Sequence, residues 1–340
     1  MAVFGNAEAV WQAEFDEFKP IGWDNTLIGE FLTWRDHVDV NLIKGELEKN
    51  QVSAVSINDP TYPENLRTIF DPPLAIFVRG HLEKSENPIA VVGSRRFTTY
   101  GQQVTDQIVR DLAPHGVDII SGLAYGIDAL AHESALRYHA RTYAVLGSGV
   151  DTASVFPTRN RRLADQIIES GGALISEYPP GVEPTKFSFP LRNRIIAGLS
   201  RAVVVIEAAA DSGSLITANY ALDNAREVFA VPGNMFSPAS VGTNNLLKNG
   251  AHVCTTAEDI IETLSIAKIT GPKQLSLSVS TSKDPTDTEI LTRLSQLPKN
   301  IDVLIKETGL PAAKISTRLT ILELNNTVRN LGGMNYILVK

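Results

Sequence analysis

Two guanidinium groups and a carboxamide stand in a row in FPLRNRIIAGLSRA (189–202): Arg192, Asn193 and Arg194. The planar fork of an arginine suits bidentate contact with a phosphate. The spacing predicts a helix opened by these three residues, with Ile195, Ile196 and Leu199 on its apolar face. Cations in a first helical turn oppose the helix dipole, so a bound anion would account for them. The competing explanation is a solvated face, or internal pairing with carboxylates such as Glu177 or Glu207. Just upstream, PTKFSF (184–189) sets Lys186 beside Phe187 and Phe189. A cation among aromatic rings suits an unpaired polynucleotide, whose bases stack while its phosphates are neutralised. Here the alternative is that both rings belong to the core.

Three further stretches carry small, amide-exposing residues after apolar runs. IAVVGSRR ends on Gly93, Ser94 and Arg95; VDIISGLAYGID carries Gly122 and Gly126; VVVIEAAADSGSLITA carries Ser212, Gly213, Ser214 and Thr217 ahead of a helix near Leu215. Glycine lets backbone N–H groups approach an anion closely, and a helix N-terminus adds free donors and a favourable dipole. Taken singly, each glycine is ordinary turn chemistry and Ser212 or Ser214 a helix cap. Three such loops at one sheet edge form a row of anion sites.

Several chemistries are missing from the pattern. The first strand is not followed by G-x-G-x-x-G, and no glycine-rich loop carries the lysine of a nucleotide-binding P-loop. His37, His81, His115, His132, His139 and His252 show no metal-ligand spacing, and Cys254 stands alone, so neither a metal nor a cofactor is expected. His132 falls one turn after Asp128 and reads as a core or helix-face histidine. GSGVD (147–151) has the wrong order for a nucleophile elbow.

The elements that must position these residues follow from the apolar runs. Residues 88–264 alternate the runs IAVVGS, VDIISG, TYAVLGS, GALISE, AVVVIEA, EVFAVPG and AHVCTT with amphipathic helices, for example 100–116 and 126–139. Near-continuous Val, Ile and Ala strands separated by helices predict an α/β fold, an extended Rossmann-like parallel sheet covered on both faces. Ligands of such sheets bind beyond the carboxyl ends of the strands. PLAIFVRG (73–80) reads as an edge strand leading into this domain, which is expected over 61–264, and residues 1–60 as a small helical N-terminal domain. Residues 265–283 read as a flexible linker, and residues 284–340 as three helices and a Gly332-Gly333 hairpin, the pattern of a winged helix. No apolar run approaches the length of a membrane span, and the lone cysteine and acidic N-terminus suggest the cytoplasm.

A net charge of −7 over 340 residues argues against a polyanion binder until it is divided. Residues 1–88 carry −8, residues 89–262 carry −3 and residues 263–340 carry +4. Screening over about 8–10 Å makes the local groove, not the total, the relevant quantity.

The stretches VVGSRRFTTYG, IISGLAYGIDALAHESAL, AVLGSGVD, FPLRNRIIAGLSRAVVVIEAAADSGSLITANYAL and VFAVPGN…GTNNLLKNGA closely resemble the DNA-processing protein A family, DprA (also called Smf), over about residues 60–264. The resemblance implies a single-stranded-DNA-binding protein of natural transformation that protects incoming strands, helps load the RecA recombinase and forms a homodimer. It implies that phosphates meet Gly93, Ser94, Arg95, the Gly122 loop with Gly126, Lys186, Arg192, Asn193, Arg194, Ser212, Gly213, Ser214 and Thr217, and that Phe189 stacks a base. The family often begins with a fuller helical domain; the front of this chain resembles the middle of it, a SAM-like unit truncated at its start.

Three other expectations compete or add. A nucleotide-phosphate-processing Rossmann-like enzyme is the alternative function, but PGNMFSPASVGTNN lacks the P-G-G-x-G-T run of such enzymes. The winged helix would read duplex DNA through Lys314 and Arg318, two cations only. AEDIIETL (257–264) gathers Ile260, Ile261 and Leu264, either for the chain's own core or for a symmetric contact.

Overall fold

In a computed structural model, residues 3–267, 285–295, 297–325 and 327–338 are described. The chain opens with helices α1 (Ala7–Gln12), α2 (Asn25–His37) and α3 (Val40–Lys49), then runs β1 (Val52–Ser56), α4 (Glu64–Arg67) and β2 (Ala75–Gly80). The central alternation follows: β3 (Asn87–Val92), α5 (Thr99–Leu112), β4 (Val117–Ser121), α6 (Ile127–Arg137), β5 (Thr142–Leu146), α7 (Arg161–Glu169), β6 (Ala173–Ser176), α8 (Ser188–Leu199), β7 (Ala202–Val205), α9 (Ser214–Asp223), β8 (Glu227–Ala230), α10 (Val241–Lys248), β9 (His252–Val253) and α11 (Ala257–Thr263). The last unit comprises α12 (Pro285–Arg293), β10 (Lys299–Asn300), α13 (Ile301–Thr308), α14 (Ala312–Leu324), β11 (Val328–Asn330) and β12 (Asn335–Leu338).

One nine-stranded sheet, ordered β1-β2-β6-β5-β4-β3-β7-β8-β9, carries the fold. Its seven strands from β6 to β9 are parallel, with Ile89 paired to Ile119 and Val92 to Val205. Side chains alternate between two cores. Ala90, Val92, Val203 and Val205 pack on one face with Ile195 and Ile196 of α8, while Ile89, Val91, Ala202 and Val204 pack on the other with Ile108 and Val109 of α5. Burial on both faces is why these strands are apolar at every position. The sequence reverses its winding direction at β3, leaving a switch point between β3 and β7.

The sheet begins earlier than the pattern predicted. Residues 52–56, assigned to the helical front, form β1, antiparallel to β2. Strand β2, expected at an edge, is therefore covered by β1 on one side and pairs antiparallel with β6 on the other. The direction of β2 has a physical consequence. It delivers the chain to the end of the sheet where β3 starts, and six residues (81–86) suffice to cross four strand spacings of about 4.8 Å each. Arg141, which salt-bridges Glu83 and binds Asp118 at 2.9 Å, ties this connector to the starts of β4 and β5.

Helix α11 settles one open alternative. Ile260, Ile261 and Leu264 are buried in the core of their own chain, so they supply no surface for a symmetric contact. The front unit has its own small core, with Phe18 and Ile28 buried and Trp23 stacked on Phe18 at 5.1 Å. The last unit is the expected winged helix, with Ile290, Leu304, Ile315, Leu319 and Val328 at its centre and an additional short strand, β10, beside the hairpin. The expected linker over 265–283 lies outside the described residues from 268 onward.

His132 is wholly buried under the sheet, as its helical position suggested. The Thr142 hydroxyl donates to the Ile119 carbonyl at 2.7 Å, so the imidazole Nδ1–H must be the donor in its 2.7 Å bond to Thr142. Burial, reinforced by the nearby Arg192 charge, holds the imidazole pKa down to about 3. The unfolded chain takes up this proton near pH 6.5 and the folded one only near 3, so the stabilisation is complete above pH 6.5 and declines as the pH falls. Between pH 7 and pH 5 this one group is expected to lower the unfolding free energy by about 2 kcal/mol. Urea titrations of wild type and His132→Gln at the two pH values should show their stabilities converging by that amount.

Candidate nucleic-acid interface

A cavity of about 970 Å³ opens at the switch point, beyond the carboxyl ends of β3 and β7. Parallel strands end there with all their chain exits at one rim, which is why loops distant in sequence meet. Of the residues singled out, Gly93, Ser94, Arg95, Lys186, Phe189, Arg192, Asn193, Ser212, Gly213, Ser214 and Thr217 line it. Gly122, Gly126 and Arg194 do not.

The first loop is held by neighbouring elements. Ser94 N–H donates to the Glu207 carbonyl at 2.8 Å, and Ile127 N–H of α6 donates to the Ser94 carbonyl at 3.2 Å. A Cβ on Gly93 would lie 2.8 Å from Ile127, and one on Gly126 would lie 2.3 Å from the Ser94 oxygen. Gly126 also has φ +86°, so its role is to seat the Ser94–Arg95 backbone against the start of α6. Glu207, offered above as a partner for arginine, instead accepts from Thr98 N–H at 2.9 Å and from its hydroxyl at 2.5 Å, fixing the start of α5.

Arginines 192 and 194 behave differently from their neighbours. Helix α8 starts at Ser188, not at Arg192, because Pro190 falls in its first turn, where a missing N–H costs nothing. The dipole argument for an anion at Arg192 and Arg194 therefore lapses. Arg192 is 5% exposed; its Nη1 donates to the Gly122 carbonyl at 2.6 Å and also to the Val145 carbonyl, clamping the ends of β4 and β5. Burial pulls its pKa down to about 10, opposed by the charge of Asp128, so it stays protonated at neutral pH. Asp128, also buried, accepts Gly122 N–H at 3.2 Å; burial pushes its carboxyl up and the Arg192 charge pulls it back. Gly122 thus backs the cavity: a Cβ there would lie 2.6 Å from the Arg192 guanidinium. Arg194 is 8% exposed and turned away, bound to Glu177 at 2.7 Å and Asp71 at 2.9 Å. Its expected phosphate contact is corrected to the internal ion pair.

Three cations remain at the mouth. Arg95, Arg96 and Lys186 are exposed and have no ion-pair partner among the described residues. Arg95 lies 5.8 Å over the ring of Phe189, and Lys186 lies 5.0 Å over that of Phe187. Phe187 is 67% exposed, so it is not a core residue. Opposite, Asn193 donates to the Gly213 carbonyl at 3.2 Å, and the hydroxyls of Ser212 and Ser214 share a 2.8 Å bond at the start of α9. At that start the Ser214 N–H donates to the Ser212 hydroxyl at 3.4 Å, and the Leu215 and Ile216 N–H groups donate to the Ser212 and Gly213 carbonyls at 3.0 and 3.2 Å, so these amides are taken up within the loop itself. Sequence reasoning passed over Arg96, whose signal was adjacency to Arg95, and Asp211, whose carboxylate is the one unfavourable charge exposed on the lining.

On the winged helix, Arg318 binds Asp287 at 2.5 Å. Of the two cations expected to read a duplex from α14, one is therefore engaged within its own unit. Arg329 of the wing reaches Asp106 of α5 at 3.2 Å.

The sequence profile of a family described as DNA recombination-mediator protein A matches residues 53–265. The chain belongs to this family. A second profile, the DprA winged helix domain, matches residues 278–334. Protein Smf of Escherichia coli strain K12 is 40% identical over 293 residues, 84% of this chain and 78% of that protein. The X-ray structure of DNA processing protein A from Streptococcus pneumoniae is similar at a TM-score of 0.66 and 36% identity, over 75% of this chain and 88% of the other. DNA processing protein A from Helicobacter pylori, whose structure is described for its single-stranded DNA binding mode, is similar at a TM-score of 0.56 and 32% identity, over 63% of this chain and 96% of the other. The first profile starts at residue 53, within β1, in agreement with the early start of the sheet.

The close approach at Gly126 yields a prediction. Gly126→Ala places a Cβ against the Ser94 carbonyl at a positive φ, so the variant should lose on the order of 2 kcal/mol of stability or more in chemical denaturation.

Proposed function

We propose that this recombination mediator binds single-stranded DNA along the rim of the switch-point cavity, protects incoming strands during natural transformation and assists their transfer to the RecA recombinase. The support is one juxtaposition: three exposed cations with no ion-pair partner among the described residues, the ring of Phe189 under one of them, and the paired hydroxyls of Ser212 and Ser214 opposite, all on one rim. Cations and hydroxyl donors suit successive phosphates, and Phe189 suits a base that is not paired. The rim is sequence-neutral, since it offers charge and a stacking face rather than a set of base-edge donors. The reported binding mode of the Helicobacter pylori relative agrees with this ligand class.

In this reading Arg192, Gly122 and Gly126 shape the rim, and Arg95, Arg96, Lys186, Phe189, Asn193 and the 212–214 loop touch the strand. The protein acts as a binder rather than a catalyst. No specific observation favours nucleotide processing, because Asp128 is buried and bonded to Gly122. No helix among the described residues is long and apolar enough to cross a membrane, and the proposed site of action is the cytoplasm. A homodimer would raise avidity on a long strand, through a surface other than α11.

Arg95→Ala should weaken binding of oligothymidine about tenfold, the loss of one charge-assisted contact. It should also flatten the dependence of log affinity on log salt by about 0.7. Fluorescence anisotropy at several salt concentrations measures both, and unchanged affinity and slope would place the strand elsewhere.

A further inference from the structure

The aromatic face at the rim does not stop at Phe189. The ring of Phe156 lies 5.8 Å from that of Phe189, inclined by 44°, so Phe189 neighbours both Arg95 and Phe156. Phe156 is 43% exposed and stands outside the cavity lining. Its loop is firmly held. Asp151 accepts Ser154 N–H at 3.1 Å, the Ser154 hydroxyl at 3.0 Å and Gly181 N–H at 2.8 Å. Asn160 donates to the Leu123 carbonyl at 2.8 Å, and Val150 and Val155, ahead of the ring, are buried. An exposed ring on a pinned loop offers a stacking face at little cost in ordering.

The residues that follow carry charge. Arg159, in the turn just before α7, and Arg162, in its first turn, are exposed and have no ion-pair partner among the described residues. Arg161 between them is used differently: its guanidinium bonds the Ala153 carbonyl and, at 3.4 Å, that of Val155, holding the Phe156 loop. The first turn of α7 contains no acidic residue, so two of its three neighbouring arginines lie where the helix dipole disfavours them and no carboxylate of that turn offsets it. These features repeat, outside the cavity, the combination found at its mouth.

We propose that the DNA strand leaves the cavity across Phe189 and Phe156, and that Arg159 and Arg162 neutralise the next phosphates along the start of α7. Phe156 then stacks the base that follows the one on Phe189. The inference rests on the cavity being the primary binding site, and it extends the footprint of one chain beyond it.

The test uses the full chain and fluorescein-labelled oligothymidines of graded length. Arg159→Gln/Arg162→Gln and Phe156→Leu are exposed changes, the latter keeping an apolar contact with Phe189, and a thermal melt checks their folding. On strands long enough to pass the rim, the double variant should bind about tenfold more weakly and with a salt slope shallower by about 1.4, two contacts' worth. Phe156→Leu should weaken binding about fivefold or more without changing the slope, because stacking carries no counterion release. On strands short enough to fill only the cavity, both variants should match wild type. Wild-type affinity and slope on long strands, while Arg95→Ala is impaired, would overturn the extension and leave the cavity site standing. Unchanged binding by Arg95→Ala as well would remove the cavity site, and the extension with it.

Discussion

Arg192 is a charged side chain held almost completely out of water, and the rim depends on it. Its guanidinium donates to the Gly122 carbonyl, just past the end of β4, and to the Val145 carbonyl near the end of β5, bridging the two strands. A buried guanidinium is tolerated only when its donors are used and an opposite charge lies near; Asp128 supplies that charge. The pair holds the ends of two strands and the start of α6 in one place. The Gly93–Arg95 turn, which rests on α6 through Ile127, inherits its position from that arrangement.

The cations on and around α8 and the cavity mouth divide by burial into two kinds. Arg192 and Arg194 are structural, with their hydrogen bonds directed at carbonyls and carboxylates of the same chain. Arg95, Arg96 and Lys186 stay in solvent with no such partner among the described residues. The second kind retains its charge for an external ligand, and packing over Phe189 and Phe187 limits how far Arg95 and Lys186 swing. This division explains how a chain of net charge −7 presents a cationic mouth. The acidic front unit is a separate small core, and at the mouth a single exposed carboxylate, Asp211, opposes the cations.

The winged helix follows the same logic of internal use. Its buried Asp287 takes Arg318 away from the exposed face of α14, and its wing contributes Arg329 to Asp106, which also receives Tyr138 at 2.9 Å. Burial pushes the Asp106 carboxyl up, but the Tyr138 hydroxyl and the Arg137 and Arg329 guanidinium groups outweigh it and hold it below the usual carboxylate range. The contact gives the wing a fixed charge partner on α5, on the sheet face opposite α8.

Much of this architecture was readable from one-dimensional pattern. Unbroken Val/Ile/Ala runs require burial on both faces, hence a parallel sheet with helices on both sides, and parallel strands require a common exit edge; that alone brought eleven of the fourteen chosen residues to one cavity. What pattern does not contain is the direction of a side chain or the partner waiting for it. Arg192, Arg194 and Arg95 look alike in sequence, and only packing decides that one clamps strand ends, one meets Glu177 and Asp71, and one faces water. The start of α8 moved for a related reason, since a proline reads as a break unless it happens to fall in a first turn. Strand β1 was missed because VSAVS is short and follows a helix directly, and its place is set by β2, a contact that exists only in three dimensions.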